Sequence, residues 1–204
     1  MLNLPASTEL RKALPKALIF RKFGLSSAKQ DIFDTDISRI TIIHEISPRS
    51  LSIHPGKEVD GFFVLHVQLK RKDYREENLR LLTRLIPQHM IFLLTYEEQA
   101  QLAVVHTRVI HTEWQRPESL TLPLEGLTLD TVWQNCIATI GRIEVKEGQT
   151  LDEAQAKAEG IQQLEKKIDQ LKKRLTREKQ SKKKFEIFQS IQKLSKELEE
   201  LNHG

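Results

Sequence analysis

Ten cations crowd one short stretch of the chain, Lys166, Lys167, Lys172, Lys173, Arg174, Arg177, Lys179, Lys182, Lys183 and Lys184, set against Asp169 and Glu178. Ammonium and guanidinium groups at that density suit the neutralisation of a polyanion, which needs positive charge and reach but no reactive atom. Lys172, Lys173, Arg174, Arg177, Lys179, Lys182, Lys183 and Lys184 are therefore the candidate nucleic-acid-binding residues. A solvated helical surface is the other reading of such a run. A second constellation has metal chemistry in view. Gln68 and Lys70 stand two apart in a β-rich segment, with Glu45 and Asp60 as the acids that could join them. Gln68 is an amide, and a neutral amide holds a hard cation less well than a carboxylate.

The remaining reactive side chains make no pattern. His44, His54, His66, His89, His106 and His111 are scattered over several elements. His106 and His111, five apart, fall on opposite faces of one strand and so predict no shared metal site. No serine stands in a Gly-x-Ser-x-Gly elbow, Cys136 has no base beside it, and neither Gly-x-x-x-x-Gly-Lys nor Gly-x-Gly-x-x-Gly occurs. Trp114, Trp133, Tyr74 and Tyr96 could offer stacking faces to bases, although isolated aromatics at element edges are more often core or rim. The sequence names no catalytic residue, no metal ligand and no cofactor.

The cations must be carried by the segments around them. Ile161, Leu164, Ile168, Leu171 and Leu175 step by three and four residues, as do Ile187, Ile191, Leu194, Leu198 and Leu201. Each set is one stripe along a helix. A single heptad frame through both would place Glu178, Lys182, Gln189 and Gln192 in core positions, so the frame breaks in the spacer. The chain is expected to fold back, pairing Leu175 with Ile187 and Ile161 with Leu201, with the cations at the outer bend. Asp152, Glu153, Glu159, Glu165, Glu197, Glu199 and Glu200 then gather at the base. Thr150, with Glu153 three positions on, predicts a capping box at the start of the first helix.

Ahead of this arm the patterning is mixed. Pro5, Pro15 and Gly24 allow only short helices over residues 1–25, and Ser27 with Gln30 has the form of a second capping box. Residues 37–46 read as a strand ended by Ser47-Pro48, residues 51–53 as a short second strand, and residues 59–70 as a third. Asp73 starts a helix closed by Pro87, after which residues 90–94 are apolar throughout, as in a strand covered on both faces. Residues 102–110 form its antiparallel partner. Asp130 caps a helix over residues 131–140, and Gly148-Gln149 marks the junction with the arm. The expected architecture is α+β: a mixed, mainly antiparallel sheet flanked by helices over residues 1–148, then a C-terminal antiparallel helical hairpin, or coiled coil, over residues 149–204.

Cys136 is the only cysteine of 204 residues, which excludes an internal disulfide and suits a reducing compartment. No apolar run approaches the roughly 20 residues that span a bilayer, and residues 1–23 alternate apolar side chains with Lys and Arg. A cytoplasmic protein without membrane contact is expected. The net charge of +4 is unevenly spread: residues 1–30 hold a surplus of five cations, whereas residues 31–151 hold 13 basic and 17 acidic side chains.

Several stretches are familiar as a set: Ser47-Pro48, Leu51-Ser52-Ile53, the run from Phe63 to Leu69-Lys70, Leu85-Ile86-Pro87-Gln88-His89-Met90-Ile91-Phe92-Leu93-Leu94, Ala100-Gln101-Leu102-Ala103, Thr112-Glu113-Trp114, and the tail from Glu178-Lys179-Gln180 to Leu198. Together they resemble a bacterial family known as domain of unknown function 4391, over nearly the whole chain and mostly through core patterns. The resemblance implies a bacterial, cytoplasmic protein with no assigned activity or catalytic residue, met near restriction-modification or phage-defence genes that encode helicases and methyltransferases. Separately, the helix-strand-strand-strand-helix-strand order with Gln68 and Lys70 is similar to the core of the PD-(D/E)xK nucleases, which implies a metal-dependent nuclease, active or degenerate, in which a carboxylate on a neighbouring strand and an acid two before the lysine hold a cation that activates water; Gln68 stands in that acidic slot. The function expected first is a non-enzymatic accessory subunit of a DNA-handling assembly, touching protein partners and nucleic-acid backbone through its arm. The alternatives are that nuclease, or a pure protein-interaction module whose hairpin opens to pair with another subunit's helices.

Overall fold

A computed structural model of the chain describes residues 2–145 and 149–203. It divides into two compact units, Met1–Arg142 and Ile143–Gly204; the expected junction at Gly148 lies outside the described residues.

The first unit is built on one six-stranded sheet whose spatial order follows the chain: β1 (Glu9–Ala13), β2 (Ile37–Ile46), β3 (Phe62–Leu69), β4 (His89–Tyr96), β5 (Gln99–Val105) and β6 (Val109–His111). Every neighbouring pair is antiparallel except β3 and β4, which run parallel. A parallel joint needs a crossover, and α4 (Glu76–Thr83) supplies it. Of the other helices in this unit, α1 (Lys16–Phe23) and α2 (Ser27–Asp36) precede β2, α3 (Pro48–Leu51) follows it, and α5 (Leu129–Gly141) closes the unit. The fold is α+β with a mixed sheet.

Period-two alternation assigns the faces. Leu65, Val67 and Leu69 of β3 and Met90, Phe92 and Leu94 of β4 share a buried cluster with Ile19, Phe33, Leu79 and Leu82 from α1, α2 and α4. On the opposite face Trp133 of α5 meets the Phe62 ring at 5.1 Å. With residues 90–94 buried without a break, β4 is covered on both sides, as its apolar run predicts.

A buried carboxylate ties the crossover to the sheet. Asp36, fully buried at the end of α2, accepts hydrogen bonds from the Arg75 amide at 3.0 Å, the Arg75 guanidinium at 3.1 Å and the Asn78 side-chain amide at 2.9 Å.

Four local expectations are corrected. Residues 51–53 are not a strand: Ser47 caps α3 in a capping box with Ser50, Pro48 opens the helix where its missing N–H costs nothing, and Ser52 ends it at φ 55°. Residues 102–110 are two strands, because the chain turns back at residues 106–108, where the His106 amide donates to the Arg108 carbonyl at 2.9 Å. Asp130 does not cap α5; Thr128 does, while the Asp130 carboxylate accepts from the amides of Lys57, Glu58 and Val59. Those three donors hold its pKa below the usual carboxylate range. Gly56 makes this possible, since a Cβ there would stand 2.1 Å from Asp130 Oδ1. Finally, residues 9–13, in the stretch expected to hold short helices, form β1 instead: all five residues are exposed, and a bulge with Arg11 at φ 46° interrupts the pairing with β2.

The second unit is an antiparallel pair, α6 (Leu151–Arg177) and α7 (Ser181–His203), packed against each other. Thr150 and Glu153 form the predicted capping box, with the Glu153 carboxylate 2.9 Å from the Thr150 amide. Leu164, Ile168 and Ile187 are buried in the seam. Its far end is closed where a Cβ on Gly160 would stand 3.8 Å from Leu201 Cδ1. Among the described residues no helix is long and apolar enough to cross a membrane.

Candidate nucleic-acid interface

Arg177 ends α6, residues 178–180 make the bend, and Ser181 opens α7. Glu178 organises the bend: its Oε1 accepts from the amides of Lys179 at 2.9 Å and Gln180 at 3.0 Å. These amides, with Lys183 and Arg174 nearby, hold the Glu178 carboxyl below its usual range. Lys173 pairs with Asp169 at 2.7 Å along α6. Among the described residues the other seven candidates, Lys172, Arg174, Arg177, Lys179, Lys182, Lys183 and Lys184, make no ion pair within 4 Å, and all eight are exposed. The structure thus brings the predicted cations together at one end of the hairpin. On one flank runs a shallow groove in two parts that share Leu171 and Arg174, one with Lys167 and Leu194, the other with Lys183, Glu186 and Ile187.

Helix electrostatics separates these cations into two groups. Arg174 and Arg177 lie in the last turn of α6, where the macrodipole favours positive charge. Lys182, Lys183 and Lys184 lie in the first turn of α7, which holds no acid. There the dipole opposes each lysine by about 0.3–1 kcal/mol. The dipole gives no reason for them, although Lys183 stands near the Glu178 carboxylate.

The metal constellation does not assemble. In the β2–β3 register Glu45 faces Phe63, while Gln68 faces Arg39, five residues further along β3, or roughly 16 Å at about 3.3 Å per residue. Asp60 precedes β3 at the Glu45 end and Lys70 follows it at the other. The expected reach of Glu45 toward Gln68 and Lys70 is thereby corrected. Among the described residues no group of three or more His, Cys, Asp and Glu could hold a metal ion. Cys136 is buried, its Sγ donates to the Pro123 carbonyl at 3.1 Å, and burial pushes its thiol up to about 12. That disfavours the thiolate needed of a nucleophile.

The four aromatics singled out in the sequence serve packing. Trp133 is buried between Phe62 and His89, the Tyr74 hydroxyl reaches Gln101 Oε1 at 3.3 Å, and Lys72 Nζ sits 5.4 Å from the Trp114 ring centroid. Among the described residues the aromatics left open are Phe185, 61% exposed, and Phe188, 47% exposed, both on α7. Sequence reading passed over them because they fall off the seam's spacing; two apolar rings out of register on a lysine-rich helix were the available signal.

The sheet's histidines give the first unit a pH dependence. His66 shares a 2.8 Å hydrogen bond with Thr95, and burial lowers its pKa from 6.5. Burial also lowers His44 and His89. A lowered pKa means that the folded chain binds fewer protons than the unfolded one between the folded value and 6.5. Stability is therefore full above about pH 6.5 and falls as acid takes the pH through that window. His66→Gln, which keeps a partner for Thr95, is expected to lose less of its urea midpoint between neutral and mildly acidic pH than the wild type. Parallel curves would contradict this.

The chain combines an α+β unit with a helical hairpin whose bend carries the cation cluster. The chain belongs to the family described as Domain of unknown function (DUF4391), whose model matches residues 2–198. No curated protein and no solved structure matches it at a significant level.

Proposed function

We propose that this chain is a non-enzymatic accessory subunit of a bacterial DNA-handling assembly of the restriction or phage-defence kind. In this reading its hairpin tip meets nucleic-acid phosphates, and its protein partners are the helicase or methyltransferase subunits of the assembly. The observation that carries it is the placement of Lys182, Lys183 and Lys184 in the first turn of α7, exposed, without an ion pair within 4 Å among the described residues, and opposed by the helix dipole. A phosphate backbone at that tip turns the opposed charge to use, and it is bound without base reading.

The test is the salt dependence of oligonucleotide binding by the full chain. Replacing all three lysines (K182Q/K183Q/K184Q) is expected to weaken binding at low salt and to flatten the slope of log K against log salt by about 2–3, as three lost phosphate contacts require. The same variant relieves the dipole conflict, so its thermal midpoint should hold or rise. Unchanged affinity and slope would refute the proposal.

A further inference from the structure

Phe185 and Phe188 stand beside these lysines, and their position narrows the ligand. At about 100° per residue, Phe185 lies roughly 160° around α7 from the buried Ile187 and Phe188 roughly 100° around. Both rings therefore point away from the seam, on the flank opposite the groove. By the same spacing Lys182 borders this face beyond Phe185 and Lys184 borders it beyond Phe188. The seam is already filled by Ile187, Ile191 and Leu194, so hairpin closure does not account for the rings.

Resting on the phosphate-contact reading, we propose that the tip binds single-stranded nucleic acid, with Phe185 and Phe188 stacking on exposed bases while Lys182 and Lys184 meet the flanking phosphates. A duplex hides its base faces inside the stack; only an unpaired strand offers π-faces and phosphates within one helical turn. A partner helix is the poorer occupant. The residues that continue this face, Ser181, Gln192 and Glu199, are polar, so the apolar stripe is too short for the repeated anchors of a helix-in-groove contact. For the same reason it is too short to lay a helix in a lipid interface.

The test measures the full chain against a labelled oligodeoxythymidine, a blunt duplex of equal length and anionic vesicles. Wild type is expected to favour the single strand. F185A/F188A should lose about thirtyfold or more on the strand, with little change on the duplex, an unaltered salt slope and an unaltered helical circular dichroism. F185Y/F188Y, which keeps the ring faces, should recover strand binding. An alanine pair that binds the strand as wild type does, or that loses equally on strand and duplex, overturns the single-strand proposal. The phosphate reading then survives if the lysine variant still flattens the slope. Binding of neither nucleic acid removes both, and vesicle binding that depends on the two rings, without strand binding, assigns the face to lipid and overturns the proposal.

Discussion

Asp36→Ala is expected to destabilise the sheet-bearing unit by about 3 kcal/mol, read as a shift of the urea midpoint followed by tryptophan fluorescence. The magnitude comes from what the carboxylate leaves behind. Its oxygens take the Arg75 amide, the Arg75 guanidinium and the side-chain amide of Asn78, itself buried. Without Asp36 the Asn78 amide and the Arg75 N–H lose their acceptor inside the protein, at about 1–3 kcal/mol for each unsatisfied group. The Arg75 side chain is about half exposed and can rehydrate, which keeps the loss from growing larger. Asp36→Asn retains the volume and one acceptor and should cost less. Domains of this kind are stable by about 5–15 kcal/mol in all, so the alanine variant should show a large shift, and a change below about 1 kcal/mol would mean that the network is not what fixes α2 to the crossover.

Ile187→Asp is expected to open the hairpin. The side chain is 7% exposed in the seam; aspartate removes about 1.5–3 kcal/mol of apolar burial and sets a carboxylate into that seam, where loss of water opposes it even with Arg174 and Lys183 at the groove's rim. Separated α6 and α7 would have to survive as isolated helices, which are marginal in water when packing is withdrawn. Much of the helical circular dichroism should vanish. The tryptophan signal should stay, since Trp114 and Trp133 both lie in the other unit. Oligonucleotide binding should fall with the helices, because a cation cluster on a flexible chain is no longer held in one place. Retained helicity with wild-type binding would show that the seam does not organise the tip.

What could be read in the sequence was what repeats. The two seams, the alternation of β2 and β3, the apolar run of β4 and the Thr150–Glu153 box all announce themselves through spacing, and each forms as its spacing predicts. What could not be read depends on a partner distant in the chain. β1 is a strand only because β2 offers its edge, so its exposed Glu9–Ala13 carries no alternation. Asp130 looks like a helix cap locally, yet its acceptors are filled from residues 57–59. The turn at residues 106–108 has no Gly, Pro, Asn or Asp to mark it. Glu45 and Gln68 lie on neighbouring strands, and register alone decides that they stand far apart. The cationic tip was legible as composition, whereas its aromatic flank needed the helix to show which side the rings take.

The two margins of the sheet differ in construction but act alike. One is β1, kinked at Arg11 and lined with Glu9, Arg11 and Lys12; the other is β6, three residues long. Neither presents the long flat ribbon of free amides and carbonyls on which a foreign strand could zip. Sideways polymerisation into fibres is thereby discouraged at both borders, and a companion that docks on this protein must do so through side chains instead of by lengthening its sheet.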